Sequence, residues 1–407
     1  MHPRTVRSWP WLALLSLTLP ASAQDPLQFL LEGQDKQRGT YQGRLELVAE
    51  AGGVAVRHQA TYRAGIELLT GTGQRQGDTL EAELPLPPGM TGALGGAAPG
   101  PVQLRAQLEL ADTELKAVLR QGGSAYAREI GQVIESPLGA GPPTADQLPK
   151  PESSFTKYKQ LAGVPFLRGA EDEHEVDMND VKQGGLGDCY FMAGLAAVAR
   201  VQPERIRNMI EDHGDGTYSV FMWRHNDQWD EVEYGADGTY DYVRTALRIR
   251  VDGAFPASGS DPAYADYGDE ETVGGEKVRE LWPMLFEKAY AQYRGSYGEI
   301  EGGYSSTPMS FFSAEQVEDH DPTLMTVEEL KALFAQLEAE GRPAALGVPK
   351  SVSSLGIHGN HYYAYWGLDA QGRVLLYNPW GSSHPTRGLT MEEIHKHTDL
   401  IHVGSKR

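Results

Sequence analysis

Residues 183–193 read Gln183-Gly-Gly-Leu-Gly-Asp-Cys189-Tyr-Phe-Met-Ala193. Here a polar, Gly-punctuated turn gives way to the apolar stretch 190–201, a switch that predicts a helix starting at Cys189. Cys189 is the only cysteine in 407 residues. Residues 1–23 have the make-up of an export signal: basic Arg4 and Arg7, the apolar stretch Trp9 to Leu19, and Ala21-Ser22-Ala23 at the cleavage position. A lone thiol in an exported chain has no intramolecular partner, so it is either an inert buried hydrophobe or a reactive group. Its neighbours favour reactivity. The positive end of a helix favours thiolate over thiol. Gln183, six residues earlier, can bring a side-chain amide beside the Cys189 backbone N–H, and two such donors converge on one developing oxyanion.

A nucleophilic cysteine needs a base, and the base needs an orienting partner. The C-terminal third supplies candidates for both, in Gly359-Asn-His361-Tyr-Tyr-Ala-Tyr-Trp-Gly367 and Leu376-Tyr-Asn378-Pro-Trp380-Gly381. Two antiparallel strands joined by a turn at 369–372 would set His361 beside Asn378. The amide oxygen would then fix the imidazole tautomer, with Trp380 covering the hydrogen bond. The plain alternatives are a packing histidine at 361, a turn-initiating asparagine before Pro379, and a core tryptophan at 380.

The remaining chain sets the frame. The formal net charge of −20 argues against nucleic acid or an anionic membrane as partner. The apolar stretch near the N-terminus is too short to span a bilayer, so no transmembrane segment is expected. Within residues 24–135 the chain alternates in strand fashion from about Gly39 to Leu119, with Val54, Val56, His58, Ala60 and Tyr62 on one face and Val102, Leu104, Ala106, Leu108 and Leu110 on another. They predict a small all-β domain. A Pro/Gly-rich linker spans 136–155. Residues 156–407 form the second domain, whose first part looks helical, through 203–210 and 276–294. Thr326-x-x-Glu329 is a capping box, and the end turns β-rich.

These motifs carry a resemblance. The Gln183–Cys189 run is similar to the active-site segment of calpain-type cysteine peptidases. His361-x-Tyr-x-x-x-Gly367 is similar to that family's histidine strand and Asn378-Pro-Trp380-Gly to its asparagine motif. The Leu281–Gly295 segment and Val251-Asp252-x-x-Phe255-Pro256 are similar to further family segments. The likeness covers about residues 160–405. It implies an α+β fold: a two-lobed papain-like core, with a helical cysteine lobe over about 156–313 and a β lobe over about 314–407, preceded by the small all-β domain. It also implies Cys189 as nucleophile, His361 as general base, Asn378 as orienter and Gln183 as oxyanion donor, with Trp380 and Asp188 in support, acting on protein or peptide substrates. Tyr190 and Tyr362 depart from the family pattern.

Family cores bind calcium in both lobes. Asp180 matches one ligand position, but its expected partner carboxylate falls on Gly298, with Glu299 one residue late, and the second lobe lacks its acidic loop. The expectation is activity that does not require calcium, with at most a weak site near Asp180. Two other classes stand beside an exported endopeptidase. One is an acyl transferase of transglutaminase type, which would want an acidic third residue; the other is a binding protein on a peptidase scaffold.

Overall fold

The computed structural model describes residues 26–62, 65–86, 100–109, 114–135, 148–155, 157–169, 172, 174–225, 232–234, 240–242, 244–273, 275–313 and 317–406. Residues 1–23, expected to be an export signal, and residues 136–147 of the expected linker lie outside them. Among the described residues no helix is long and apolar enough to cross a membrane.

Eight strands come first: β1 (Leu27–Asp35), β2 (Gly39–Glu50), β3 (Gly53–Tyr62), β4 (Gly65–Gln76), β5 (Thr79–Leu84), β6 (Val102–Glu109), β7 (Glu114–Gln121) and β8 (Ser124–Glu135). Each pairs with the next in an antiparallel ladder, and β1 pairs back onto β8 from Phe29↔Val133 to Asp35↔Ala127. The sheet therefore closes into a barrel. The period-two faces point inward: Phe29, Leu31, Leu45, Val56, Leu69, Leu80, Leu104, Leu115 and Leu119 make one core, as small barrels require. Gly33 is glycine because a Cβ there would lie 2.2 Å from the Tyr41 ring.

Part of the barrel interior is polar. Fully buried His58 places Nε2 2.6 Å from Glu129 Oε1, and the Tyr41 hydroxyl donates to the same oxygen at 2.5 Å. His58 Nδ1 and Glu129 Oε2 have no partner.

The barrel does not stand apart. The end of β8 pairs in parallel with the strand Arg244–Asp252, through Ala246↔Ile134 and Leu247↔Glu135. That strand pairs with Thr217–His225, which pairs with Ile210–Asp212, giving one eleven-stranded sheet. Packed with this extension is a core around helices α1 (Cys189–Val201), α2 (Pro203–Asn208), α3 (Trp282–Arg294) and α4 (Ser306–Ser310). The C-terminal body is a five-stranded sheet in the order Glu318–His320, Leu400–Val403, Ala344–Val348, His361–Leu368, Val374–Tyr377. On one face α5 (Val327–Glu340) and α6 (Met391–His397) close a second core with Tyr363, Tyr365 and Leu376. On the other face Ala345, Ala364 and Tyr377 join the core of α1.

This corrects the expected fold class. The chain is mostly β, with 45% strand and 22% helix and a closed eight-stranded antiparallel barrel. It is not the two-lobed α+β papain-like core of a helical lobe plus a β lobe. The segment read as helical is threaded by strands. In Arg244–Asp252, Leu247, Ile249 and Val251 alternate with Arg248 and Arg250, a strand pattern that the reading passed over. Glu276–Glu280 pairs with Glu270–Val273 instead of opening a helix. The helix starts only at Trp282, where Pro283 sits in the first turn and needs no N–H partner.

The buried His58–Glu129 pair generates a prediction. Removing one partner of a buried ion pair costs about 3–5 kcal/mol, so Glu129→Ala should lower the unfolding free energy by about that amount in denaturant titration. Burial opposes charging of His58, but Glu129 outweighs it and holds the imidazolium above its ordinary range. The stabilisation is therefore full below about pH 6.5, the unfolded value, and is lost as pH rises through the raised folded value. The midpoint of thermal unfolding should fall with pH in that window for the native chain, and His58→Gln should flatten the fall.

Candidate active site

Cys189 is the first residue of α1, after Asp188, whose carbonyl accepts from the N–H groups of Phe191 (2.8 Å) and Met192 (3.1 Å). The thiol is half-buried and free. It faces the Tyr362 backbone N–H on the neighbouring sheet, so helix start and His361 strand meet at the sulphur. Burial pushes the thiol pKa up, the Tyr362 N–H partly offsets this, and the Asp188 carboxyl adds to the rise.

His361 opens its strand, preceded by Asn360 at φ 51°. Only 6% exposed, it sets Nε2 2.9 Å from Asn378 Oδ1. Asn378 is fully buried. Its Nδ2 donates to Ser383 O at 3.1 Å, its Oδ1 also accepts the Trp380 N–H at 3.2 Å, and its own N–H donates to His384 Nδ1 at 3.1 Å. These bonds leave the amide one orientation, with oxygen toward the imidazole. Nε2 must then be the protonated nitrogen of neutral His361, and Nδ1 is left as the free base. Ser383 has φ 56°, a strained conformation at the residue that holds Asn378. Trp380 lies over the pair, its ring centroid 4.7 Å from that of His361 and 4.6 Å from that of His358. Burial pulls the His361 pKa down, Asn378 offsets this, and His358 adds to the fall.

Gln183 links the two sides: its N–H donates to Pro379 O at 2.8 Å. The side-chain Nε2 donates to Leu186 O at 2.7 Å, and the amide also lies against the Asp188 carboxyl. The following glycines are compulsory, because a Cβ at Gly184 would lie 1.9 Å from Tyr264 O. Beneath the loop Asp188 is fully buried, with both oxygens and Gln183 Oε1 lacking a well-aligned partner. Burial raises Asp188 to about 7, with Glu287 and Gln183 beside it holding it lower than burial alone would. Glu287, also buried, accepts the Ala265 N–H at 3.1 Å and is pushed well above the usual carboxyl range by burial and by Asp188. A proton on Glu287 can be donated to Asp188, which keeps the pair from carrying two charges in an apolar setting. Sequence reading left Ser383, His384 and Glu287 unassigned. Their roles come from contacts across the fold, and no local spacing signals them.

Asp180 lies elsewhere. Among the described residues its carboxylate groups with those of Asp172 and Asp269, their oxygens within 4.8 Å of one another. Glu299, the expected partner, is not in that group. Asp180 Oδ2 accepts the Asp177 N–H at 2.6 Å and Trp282 Nε1 at 3.1 Å, and burial raises the group to about 7. Oδ2 of Asp269 has no partner. Three carboxylates with an unsatisfied oxygen fit a hard cation.

A buried imidazole–carboxamide pair whose strand reaches a helix-start thiol defines a cysteine-dependent hydrolase. The chain belongs to the calpain family of cysteine proteases, whose family model matches residues 161–236 and 243–386. It is similar to the calpain-type cysteine protease ADL1 of Oryza sativa subsp. japonica, 27% identical over 56% of this chain and 10% of that protein. It is also similar to calpain-9 of Mus musculus, 27% identical over 50% of this chain and 28% of the other, and to calpain clp-4 of Caenorhabditis elegans, 26% identical over 51% and 28%. The chain thus spans under a third of the length of these relatives. Among solved structures, the chain is similar to a redesigned beta barrel at 18% identity over 27% of this chain and 91% of that one, with a TM-score of 0.22, too slight a likeness to build on.

Asn378→Ala removes the acceptor that holds the tautomer while leaving the thiol in place. The expected result is a fall in kcat of roughly 100-fold with KM little changed, as geometric misplacement of a base produces, checked by steady-state hydrolysis of a fluorogenic peptide.

Proposed function

We propose that this chain is an exported cysteine endopeptidase that cleaves peptide bonds through a thiolate and an acyl-enzyme. The observation that carries the reading is the Asn378 carboxamide, anchored by Ser383 O and bonded to His361 Nε2 at 2.9 Å. It leaves Nδ1 as the only basic position on the ring. Taken alone, each group is favoured neutral by burial. Transfer of the thiol proton to Nδ1 makes two opposite charges that stabilise each other, and the helix start adds to the sulphur's share.

The thiolate of Cys189 then attacks the scissile carbonyl carbon, and the C=O electron pair moves onto oxygen. The Cys189 backbone N–H and the side-chain amide of Gln183, turned from its resting partners, receive that oxyanion. Collapse expels the amine, which takes the proton from His361 Nδ1, and a thioester remains. Water, deprotonated by the same nitrogen, hydrolyses it and returns the thiol. Trp380 shields the His361–Asn378 bond from water, and Asp188, paired with Glu287, supports the Gln183 loop from beneath.

Calcium has no step in this scheme. Asp172, Asp180 and Asp269 would hold it if it bound, where it would supply charge neutralisation for a buried acidic group. The export reading rests on residues 1–23; N-terminal sequencing of protein recovered from outside the producing cytoplasm should begin after Ala23.

Two outcomes test the reading. Cys189→Ala should abolish proteolysis with an almost unchanged thermal midpoint, and a papain-type epoxide should add one adduct, mapped by mass to Cys189; residual proteolysis in that variant would overturn the mechanism. Activity of the mature protein should survive excess chelator, with added calcium raising it a few-fold at most. Full loss on chelation, reversed by calcium and not by magnesium, would make the cation obligatory.

A further inference from the structure

The thiol sits on α1 and the imidazole on the C-terminal sheet, which meet in one shared core, so whatever fixes one body on the other fixes the reacting pair. Tyr377 contributes from below, its hydroxyl donating to Val181 O at 2.9 Å. Most of the polar contacts that tie the bodies together lie at the far end of α1. Arg200 pairs with Glu338 of α5 at 2.6 Å and lies over the Tyr365 ring. Gln202, 1% exposed, donates from Nε2 to Gly341 O at 3.1 Å and Ser405 O at 2.8 Å. Arg205 of α2 donates from Nη1 to Phe312 O at 3.2 Å and Ser405 Oγ at 2.7 Å, and from Nη2 to Lys406 O at 3.1 Å. The barrel enters the same knot: Gln42 Nε2 of β2 donates to Phe312 O, and Thr61 Oγ1 of β3 donates to Asn208 Oδ1 of α2 at 2.9 Å.

We propose that Gln202 and Arg205, braced by Gln42 of the barrel, are positioning residues that hold Cys189 and His361 in register, and that the barrel is thereby a working part of the peptidase. The inference rests on the peptidase reading of those two residues. The lever is α1. Its 13 residues put the clamp about 18 Å from the thiol at ~1.5 Å per residue, so a tilt of ~5° at the clamp moves the sulphur by about 1.5 Å. A displacement of that size costs roughly 100-fold in rate. The barrel contacts α2 at the opposite end of α1 from Cys189, a place from which it braces the site without covering it.

The test compares Arg205→Met, Gln202→Leu, Gln42→Leu and the conservative Arg205→Lys in the full chain, well below their unfolding midpoints. The readouts are the pH profile of Cys189 alkylation by iodoacetamide, and kcat and KM on a fluorogenic peptide. Arg205→Met should move the alkylation profile upward by one pH unit or more, toward a free thiol at about 8.5. It should lower kcat about 100-fold and change KM less than twofold. Gln202→Leu, the milder lesion, should shift both in the same direction, Gln42→Leu should give an intermediate shift, and Arg205→Lys should recover part of it. Variants that only unfold at lower temperature, with native alkylation profiles and kcat, would overturn the proposal. A native profile in Gln42→Leu alone would remove the barrel from it. If the profile shifts as expected while the unmutated chain cleaves no peptide, the clamp stands and the peptidase reading falls. An ordinary thiol profile in the unmutated chain overturns both.

Discussion

The arrangement depends on one packing constraint: α1 must pack against its own body and the back of the C-terminal sheet at once. Phe191, Met192, Leu195 and Val198 are buried in its own body, while Ala364 and Tyr377 bring the back of the C-terminal sheet into the same core. The small residues Ala193, Gly194, Ala196 and Ala197 suit a helix pressed from several sides. A Cβ on Gly194 would lie 2.4 Å from Pro308. Close-packed interiors transmit displacement with little give, so the helix carries position from one end of the molecule to the other.

The site is assembled at a local cost. Four carboxyl groups, Asp180, Asp188, Glu280 and Glu287, are buried within the Cys-bearing body, and burial raises every one. Positive-φ residues at 360 and 383 flank the imidazole and its anchor. Groups of this kind persist only where surrounding structure over-determines them. The β-rich frame does so here, with the barrel's sheet running directly into the strands beside α3 and the Gln183 loop packed on residues 263–265.

Much of the site was legible because its chemistry is local: a helix-start thiol, a histidine on a strand, an asparagine across a short hairpin. Barrel strands were legible for the same reason, since alternation survives wherever one face is dry. The architecture was less so. Thr217–His225 shows no alternation because Tyr218 through Trp223 are buried on both faces, and such runs do not declare their period. Glu270–Val273 and Glu276–Glu280 are short and highly charged, with little apolar signal. Closure of the barrel and its parallel join to residue 246 depend on pairings about 90 to 110 residues apart, which no window along the chain contains. Asp269 was missed likewise, since it reaches Asp180 only through the fold.

The β8 junction also orders events in time. During synthesis the barrel strands emerge first, and their neighbours are adjacent in sequence except for the closing β1–β8 pair. Such local pairing forms quickly compared with distant contacts. Ile134 and Glu135 are then left as a short template, awaiting a strand that leaves the ribosome about a hundred residues later. A chain that stopped before residue 244 would lack the strand that Ile134 and Glu135 pair with, and would leave that end of β8 as an open edge.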